Sequence, residues 1–462
     1  MSATRRRGSS ISLMAGCVLA IGAQGALAKV SADEARRLGQ DLTCFGAEKA
    51  GNKDGSIPAY TGKQRGAPPN VKYGGPGHFW PDPYADEKPL FVITAQNVAQ
   101  YADRMTDGQK ALFKKYPDTF QMSVYPSHRD WGFPQWACDL SKKNAVEAEV
   151  VDGGAGVRAT SGVSPFPIPK TGYELQWNVV LPLAPAREVG TFDSAVVYPN
   201  GTIAWAREFH KVVVSKADTR KHVSTEVGAN SYSFSEKLIP ERDKGTLTYA
   251  RVPFNYKKDF LDVWQYSPGT RRVRQLPNFG FDQPNGPGGF LTVDDELIFN
   301  GSNERYDWRI VGKQEIYIPY NTYRLHSPTL RYGEMLKTKG HINPDFIRYE
   351  LHRVWVLEAT LKAGYRHLYG KRRIYIDEDS WVAVLGDNYD GRHQLWRTAM
   401  CNTLYLYEAQ SISPLTCVYH DLNSSAYAAL RLINEQKAPM TVDDGSLKES
   451  QFTPDMLRAA GR

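Results

Sequence analysis

The 462-residue sequence lacks the short motifs that identify the common enzyme classes. It has no G-x-S-x-G turn, no G-x-x-x-x-G-K-[ST] phosphate loop, no G-x-G-x-x-G dinucleotide fingerprint and no H-E-x-x-H helix. Its ten histidines are scattered singly, and those in strand-like segments are typical of structural imidazoles: His210, His352, His367 and His393. We therefore expect no catalytic residue, no metal site and no cofactor.

The sequence also lacks a strong excess of one charge. Its 57 Lys and Arg face 50 Asp and Glu, and the net charge of +7 falls to +4 without Arg5, Arg6 and Arg7, which lie in a segment predicted to be removed. No basic segment is concentrated enough for a nucleic-acid partner. The 41% hydrophobic content excludes general disorder, and 26 Tyr, 18 Phe, 39 Gly and 28 Pro favour strands and tight turns over a coiled coil or helical solenoid.

The one extended apolar stretch lies at the N-terminus and is broken by glycines. The arginines precede Ile11 to Ala28, which ends in Ala26-Leu27-Ala28, so the pattern predicts a secretory signal peptide cleaved after Ala28. Lipidation at Cys17, after Leu13-Met14-Ala15-Gly16, is the alternative. No later run is long enough to span a bilayer. We expect a periplasmic protein, with association to the outer membrane as an alternative.

Cysteine is scarce, and its count is informative. Loss of Cys17 with the signal peptide leaves four cysteines, an even number in an oxidising compartment. Cys401 and Cys417 flank a predicted hairpin, so we expect the pairs Cys401–Cys417 and Cys44–Cys138, among three pairings open to four cysteines. A zinc site is the rival interpretation, but it lacks paired C-x-x-C spacing.

Periodicity divides the chain into a loop-rich front and a β-rich body. Ser31 and Glu34 form a capping-box pattern that predicts a helix to about Leu42, and Thr94 to Tyr116 predicts one or two helices. Tyr349 to Lys362 predicts a strand with one solvent-exposed face carrying Glu350, His352 and Glu358. Further strands are predicted at Leu175–Leu181, Glu208–Ser215, Gly245–Pro253, Leu261–Tyr266, Tyr306–Tyr317, Arg372–Ile376, Trp381–Leu385, Thr403–Glu408 and Thr416–Asp421.

These patterns predict a mainly β fold with added helices, built on a large antiparallel sheet that must curl or close. The expected divisions are a signal peptide (1–28), a loop-rich, partly helical section wrapping the sheet (29–165), the curved β domain (166–424) and a C-terminal helical tail (425–462). The acidic group Asp377, Glu378, Asp379, Asp387 and Asp390 falls at predicted hairpin ends. It is typical of turns, with a metal site or paired carboxylates as the alternative.

Aromatic residues recur along the predicted strands and could line an apolar ligand pocket or simply fill the core. Three basic residues, Arg271, Arg272 and Arg274, follow the turn at Ser267 to Thr270; they could bind an anionic head group or form a solvated strand face. The predicted ligand-binding residues are Trp264, Tyr266, Tyr306, Trp308, Tyr317, Trp355, Tyr375 and Trp381, with Arg271 and Arg272 at the rim.

Several segments resemble a known family. Asp262 to Leu276, Tyr306 to Asn321, Val354 to Lys362 and Lys371 to Trp381 are similar to segments of outer-membrane lipoprotein-sorting-like periplasmic proteins, whose relatives include LolA and LolB. With Ala32 to Ala35 and Gly51 to Pro58, the mature chain is similar to domain-of-unknown-function family 1329. The resemblance implies that the large curved antiparallel sheet forms an unclosed β-barrel, with helices covering its concave face. It also implies partnership with an outer-membrane barrel protein and an exporter of the resistance-nodulation-division type.

The function that the resemblance implies is binding and transfer of a hydrophobic, lipid-like or lipoprotein-like ligand across the periplasm. This chain is much longer than the lipoprotein carriers and its front section has no counterpart in them. Two alternatives remain open at this point. One is a hydrolase acting on a hydrophobic substrate through His352, Glu358 or the acidic turns, and the other is an accessory subunit of an envelope complex that binds protein partners only.

Overall fold

A computed structural model describes residues 30–214, 229–276, 280–443 and 445–461. The predicted signal peptide and Cys17 lie outside these residues. Six α-helices occur in the described parts: α1 (Ala32–Arg36), α2 (Asp107–Lys115), α3 (Gln135–Glu147), α4 (Gly172–Val180), α5 (Tyr332–Met335) and α6 (Pro454–Ala460). Short 3₁₀ turns lie between them, the longest at Val98–Arg104.

Twenty strands are described, and most belong to one sheet. They are β1 (Phe91–Ile93), β2 (Met122–Val124), β3 (Glu149–Val151), β4 (Gly156–Arg158), β5 (Arg187–Val197), β6 (Ile203–Val214), β7 (Ala229–Ile239), β8 (Leu247–Pro253), β9 (Asp262–Ser267), β10 (Arg272–Gln275), β11 (Pro284–Asn285), β12 (Leu291–Thr292), β13 (Tyr306–Pro319), β14 (Arg348–Leu361), β15 (Lys371–Asp377), β16 (Ala383–Tyr389), β17 (Leu395–Leu406), β18 (Ser411–Asp421), β19 (Tyr427–Leu432) and β20 (Thr441–Val442).

The main sheet of the described chain contains sixteen strands and is not closed into a barrel. From β13 the order runs through β14 to β19, continues with β5, and ends with β6 to β10. Neighbours along this path are antiparallel, whereas β2 joins β14 in a short parallel contact at Arg348 and Tyr349. The expected mainly β fold with a large unclosed sheet is confirmed.

The sequence patterns located most strands but misassigned some local features. The stretch Leu175–Leu181, predicted as a strand, lies mainly in α4. Thr171 and Glu174 form a reciprocal capping box there, and a short apolar run fits a buried helix as well as a strand. The first helix ends at Arg36 rather than near Leu42, although its Ser31–Glu34 capping box is present. Strand β19 lies in the tail where only helices were expected.

Strand β14 confirms the predicted long strand, but the prediction of a solvent-exposed face is wrong for its first half. Glu350 and His352 are fully buried. The backbone N–H of His128 donates to Glu350 (2.8 Å), and Ser127 donates to the carbonyl of Leu351 (2.7 Å), so the front section covers this face. Sequence periodicity cannot detect such a cover because the covering residues lie more than two hundred positions away.

Both expected disulfides are present. Cys401 and Cys417 stand opposite each other on β17 and β18, with Cα atoms 4.0 Å apart. Cys44 pairs with Cys138 on α3, with Cα atoms 5.0 Å apart, and this bond ties the start of the front section to a helix.

Arg129 makes a buried polar contact between the front section and the sheet. Its side chain is almost fully buried and forms a two-pronged ion pair with Asp379, with N–O distances of 2.7 and 2.8 Å. The same guanidinium donates to the carbonyls of Glu48 (2.7 Å) and Pro58 (3.1 Å). One side chain therefore joins two loops of the front section to the β15–β16 turn.

We predict that Arg129→Met lowers the free energy of unfolding by about 3–5 kcal/mol, because it leaves Asp379 charged, buried and unpaired. Urea denaturation of the oxidised chain measures this loss. Arg37→Met is the matched control: Arg37 pairs with Asp41, but the two side chains are 53% and 56% exposed, so its loss should stay below about 1 kcal/mol. Equal losses in the two variants would contradict the assigned role of Arg129.

Candidate functional site

The structure distributes the predicted ligand-binding residues over several places. Trp264 and Tyr266 lie on β9, with Arg271 and Arg272 at the following turn. Tyr306 and Trp308 pack around Phe299, and Tyr317 packs against Phe91 and Tyr101. Trp355 stacks on Trp381, with ring centres 6.2 Å apart, and Tyr375 lies 3.5 Å from Asp387. Only the β9 group adjoins a hydrophobic layer separate from the main core.

That layer contains an aromatic patch on one face of β6 to β9, which we define as Phe209, Tyr232, Phe234, Tyr249, Trp264 and Tyr266. Strand pairing aligns its members, because Phe234 stands opposite Tyr249 and Tyr249 stands opposite Trp264. Directly paired residues share a face of the sheet. The sequence analysis missed four members, Phe209, Tyr232, Phe234 and Tyr249, although the alternation of Tyr232 and Phe234 with serines was a usable signal.

The C-terminal tail covers the aromatic patch. Leu447, Phe452, Met456 and Leu457 pack on it, and α6 contacts β8, β9 and β10. The hydroxyl of Tyr266 donates to the carbonyl of Gly461 (2.5 Å). Gly461 also lies so close to the Tyr266 ring that a Cβ atom there would come within 2.6 Å of it.

This cover is small. Helix α6 spans seven residues, and isolated helices shorter than about 12–15 residues are marginal in water. Its helical form therefore depends on packing against the patch, where Leu457 is its one fully buried side chain. An apolar molecule that fills the same surface would replace the contacts on which α6 depends.

Basic groups border the patch. The ammonium of Lys211 lies 5.5 Å from the ring centre of Phe209 and 5.8 Å from that of Phe234. Arg271 has a positive φ of 52° in the exposed β9–β10 turn. Arg272 stands opposite Ser267, so it projects from the face opposite Val273, which packs in the layer.

A second group of polar residues is buried beneath the front section. Arg348 donates to Glu350 (2.6 Å), and His352 Nε2 lies 3.1 Å from the other Glu350 oxygen. Burial alone would raise the pKa of Glu350, but the hydrogen bond with His352 and the charge of Arg348 lower it to about 2. Burial and the charge of Asp379 raise the pKa of Asp377 to about 6. Within the described residues, His352, Asp377 and Asp379 are close enough together to hold a metal ion.

The acidic hairpin residues divide between turns and buried contacts. Asp390 accepts from the backbone N–H groups of Arg392 (2.8 Å) and Gln394 (2.9 Å), as a turn residue does. Asp387 is fully buried and accepts from Gly108 N–H (3.1 Å) at the start of α2 and from Thr398 (2.9 Å). A Cβ at Gly108 would clash with both partners, so glycine is required by close packing.

The fold and the covered patch define a mostly β protein built on one large unclosed sheet. The chain belongs to the DUF1329 family, described as proteins of unknown function, whose model matches residues 92–458. It is 40% identical over 437 residues to the uncharacterized protein PA3922 of Pseudomonas aeruginosa, covering 94% of this chain and 95% of that relative. The predicted family membership is confirmed.

Similar solved structures come from the same family and from the LolA superfamily, each at 14% identity. A DUF1329 family protein from Desulfovibrio piger has a TM-score of 0.40, with 59% of this chain and 92% of that chain covered. A putative outer membrane lipoprotein-sorting protein domain from Vibrio parahaemolyticus has a TM-score of 0.39 with the same coverages. A LolA superfamily protein from Nitrosomonas europaea has a TM-score of 0.38, with 62% and 100% covered.

The burial of Asp387 makes the stability of the fold depend on pH. Burial raises its folded-state pKa to about 6, above the unfolded value of 3.8, although Gly108 and Thr398 partly offset the shift. The folded state then holds the proton more tightly. This contribution to stability is complete below about pH 4 and is lost as the pH rises through about 6.

We predict that Asp387→Asn abolishes this pH-dependent loss of stability. The free energy of unfolding of the variant, relative to that of the original chain, should rise by up to about 3 kcal/mol between pH 4 and pH 7. Urea denaturation at intervals across this range gives the difference curve. Asp86→Asn, at an exposed carboxyl, should give a flat difference curve. A flat curve for Asp387→Asn would show that the folded protein does not bind this proton more tightly.

Proposed function

We propose that this protein binds a hydrophobic, lipid-like ligand in the periplasm and passes it on, with the apolar part of the ligand on the aromatic patch in place of α6. The observation that carries the proposal is the patch itself. Its aromatic side chains from β6 to β9 form a layer apart from the main core, and a seven-residue helix with its flanking residues covers them. Such a surface offers a ligand apolar contact at about 25 cal/mol per Å² buried.

An exchangeable cover fits transfer better than permanent storage. The tail and the ligand would compete for the same side chains. Only molecules whose tail is displaced could bind, so the apparent affinity for the ligand would be the intrinsic affinity multiplied by that fraction of molecules. A partner that stabilises the seated tail would release the ligand. A partner that draws the tail away would load it. The proposed partners are the outer-membrane barrel protein and the resistance-nodulation-division type exporter implied by the family resemblance.

The basic groups suggest a ligand with an anionic head. Lys211 lies over two patch rings and Arg271 occupies the exposed turn beyond Tyr266, whereas Arg272 projects from the other face of the sheet and is not part of this group. A carboxylate or phosphate is the natural partner of such groups. The two disulfides support a periplasmic location because disulfides persist in oxidising compartments. In the described residues, no helix combines the length and apolar character needed to cross a membrane.

The first test asks whether the protein carries a ligand. We expect protein purified from periplasm without detergent to yield a stoichiometric lipid-like species on extraction with organic solvent and mass spectrometry. Trp264→Ala should reduce the bound amount at least fivefold, because it removes the half-buried indole at one end of the patch. Trp396→Ala, at a half-buried indole on β17, is the matched control. An empty extract that stays empty after incubation with envelope lipids would refute the carrier function.

The second test asks whether the tail competes with the ligand. Gly461→Leu places a side chain against the Tyr266 ring and should unseat the tail without changing the patch. We predict at least threefold tighter binding of a fluorescent fatty acid. Gly391→Leu is the control, since nothing lies within 4 Å of a Cβ at that turn. Unchanged binding in Gly461→Leu, with the tail shown to be displaced by protease sensitivity, would place the ligand elsewhere.

A further inference from the structure

A buried polar group lies beneath the front section, where β14 meets the end of β15. Strand pairing brings its members together across 25 to 27 positions of sequence, because Val354 on β14 stands opposite Asp377 on β15. Extending this register by two residues puts His352 opposite Asp379, on the same face. His352 is 1% exposed, Asp377 0% and Asp379 4%. One nitrogen or oxygen from each side chain lies within 4.8 Å of the other two.

The orientation of His352 is fixed from its far side. Its Nε2 lies 3.1 Å from Glu350, and Glu350 also accepts from Arg348, from Asn321 (3.0 Å) and from the backbone of His128. A carboxylate held by three other donors is an acceptor, so Nε2 carries the imidazole proton. The other nitrogen, Nδ1, faces the cluster, and in the neutral imidazole it presents a lone pair there. Metal-binding histidines are typically oriented by a carboxylate in this way.

Asp377 presents an oxygen without a partner to that lone pair. Its Oδ2 accepts from the backbone N–H (3.1 Å) and the hydroxyl (2.5 Å) of Ser380, while its Oδ1 makes no hydrogen bond. This Oδ1 lies 3.8 Å from His352 Nδ1, too far for a direct hydrogen bond. Two buried acceptors facing each other without a donor are costly, and a cation between them would satisfy both.

Asp379 completes a set of three candidate ligands. Both of its oxygens accept from Arg129, and each retains a lone pair for a second partner. One imidazole and two carboxylates form a nitrogen and oxygen donor set that suits Zn²⁺ or Mn²⁺. Bonds of about 2.0–2.2 Å place tetrahedral ligand atoms roughly 3.4 Å apart, so the group would contract slightly around an ion.

We propose that His352, Asp377 and Asp379 bind one divalent transition-metal ion, with Glu350 orienting His352. The ion would link β14 to the β15–β16 turn at the point where Arg129 joins that turn to the front section. Arg348 and Asn321, which donate to Glu350, also line a polar cleft with Glu87, so the residues that orient His352 border this cleft. The site is independent of the aromatic patch.

The experiment uses the full mature chain, purified from periplasm without chelators and then stripped with EDTA. Zn²⁺ and Mn²⁺ are added separately, the bound metal is measured by elemental mass spectrometry after gel filtration, and the melting temperature is followed. We expect one ion per chain and a melting temperature that rises with metal concentration, because binding to the folded state alone stabilises it. Failure of the folded, stripped protein to take up either ion would overturn the proposal.

Variants distinguish a metal ion from a proton as the group that lies between His352 Nδ1 and Asp377 Oδ1. Asp377→Asn keeps an oxygen for the hydrogen bonds from Ser380 and replaces the unpaired carboxylate oxygen with an amide, so it should fold while metal uptake falls at least tenfold. His352→Gln should show the same loss. Asp387→Asn and His326→Gln, at a buried carboxyl and a buried imidazole elsewhere, should retain full uptake. Equal uptake by Asp377→Asn and the original chain would show that any bound ion lies at another site.

Discussion

The fold depends on covering the polar face at the start of β14. This strand pairs with β13 along its whole length and with β15 over half of its length. It carries Glu350 and His352 on one face. Neither side chain can be buried alone without a large desolvation cost. The front section supplies Arg129 as the partner of Asp379 and the backbone N–H of His128 as a donor to Glu350, while Arg348 at the start of β14 also donates to Glu350. These contacts fix where the loops of residues 45–60 and 126–133 lie.

The two ends of the sheet differ in how they are covered. Strands β14 to β19 are buried on both faces over most of their length, and two disulfides strengthen that region and its cover. Strands β6 to β10 are mostly half-buried or exposed, and a short C-terminal segment covers the aromatic side chains there. Protein segments with few buried contacts open at lower free energy than the core. The lightly covered end therefore suits the proposed ligand exchange, and the heavily covered end is the rigid frame of the sheet.

The polar cluster and the aromatic patch lie in different parts of the sheet. His352, Asp377 and Asp379 sit in the frame, where any bound ion would stabilise the contact between sheet and front section. The patch lies at the lightly covered end of the sheet, bordered by Lys211. The two sites share no residue, so loss of one need not disturb the other.

The sequence alone determined the fold class, most strand positions, the capping box at Ser31 and both disulfides. Each of these follows from local periodicity, from local hydrogen bonding, or from the even number of cysteines together with the hairpin that Cys401 and Cys417 flank. The sequence also indicated Trp264 and Tyr266 as candidate residues. It could not predict that they pack with Phe234, Tyr249 and the tail. Strand order and register decide which side chains share a face.

The same limit explains the errors. The run Leu175–Leu181 is apolar enough for a strand, and its helical form is decided by the Thr171–Glu174 cap and by packing around Trp177 and Leu181. Glu350 and His352 alternate as an exposed face would, and only the tertiary structure shows the front section above them. Burial is set by residues distant in sequence, because the free energy of a polar side chain depends on which partners and how much water surround it.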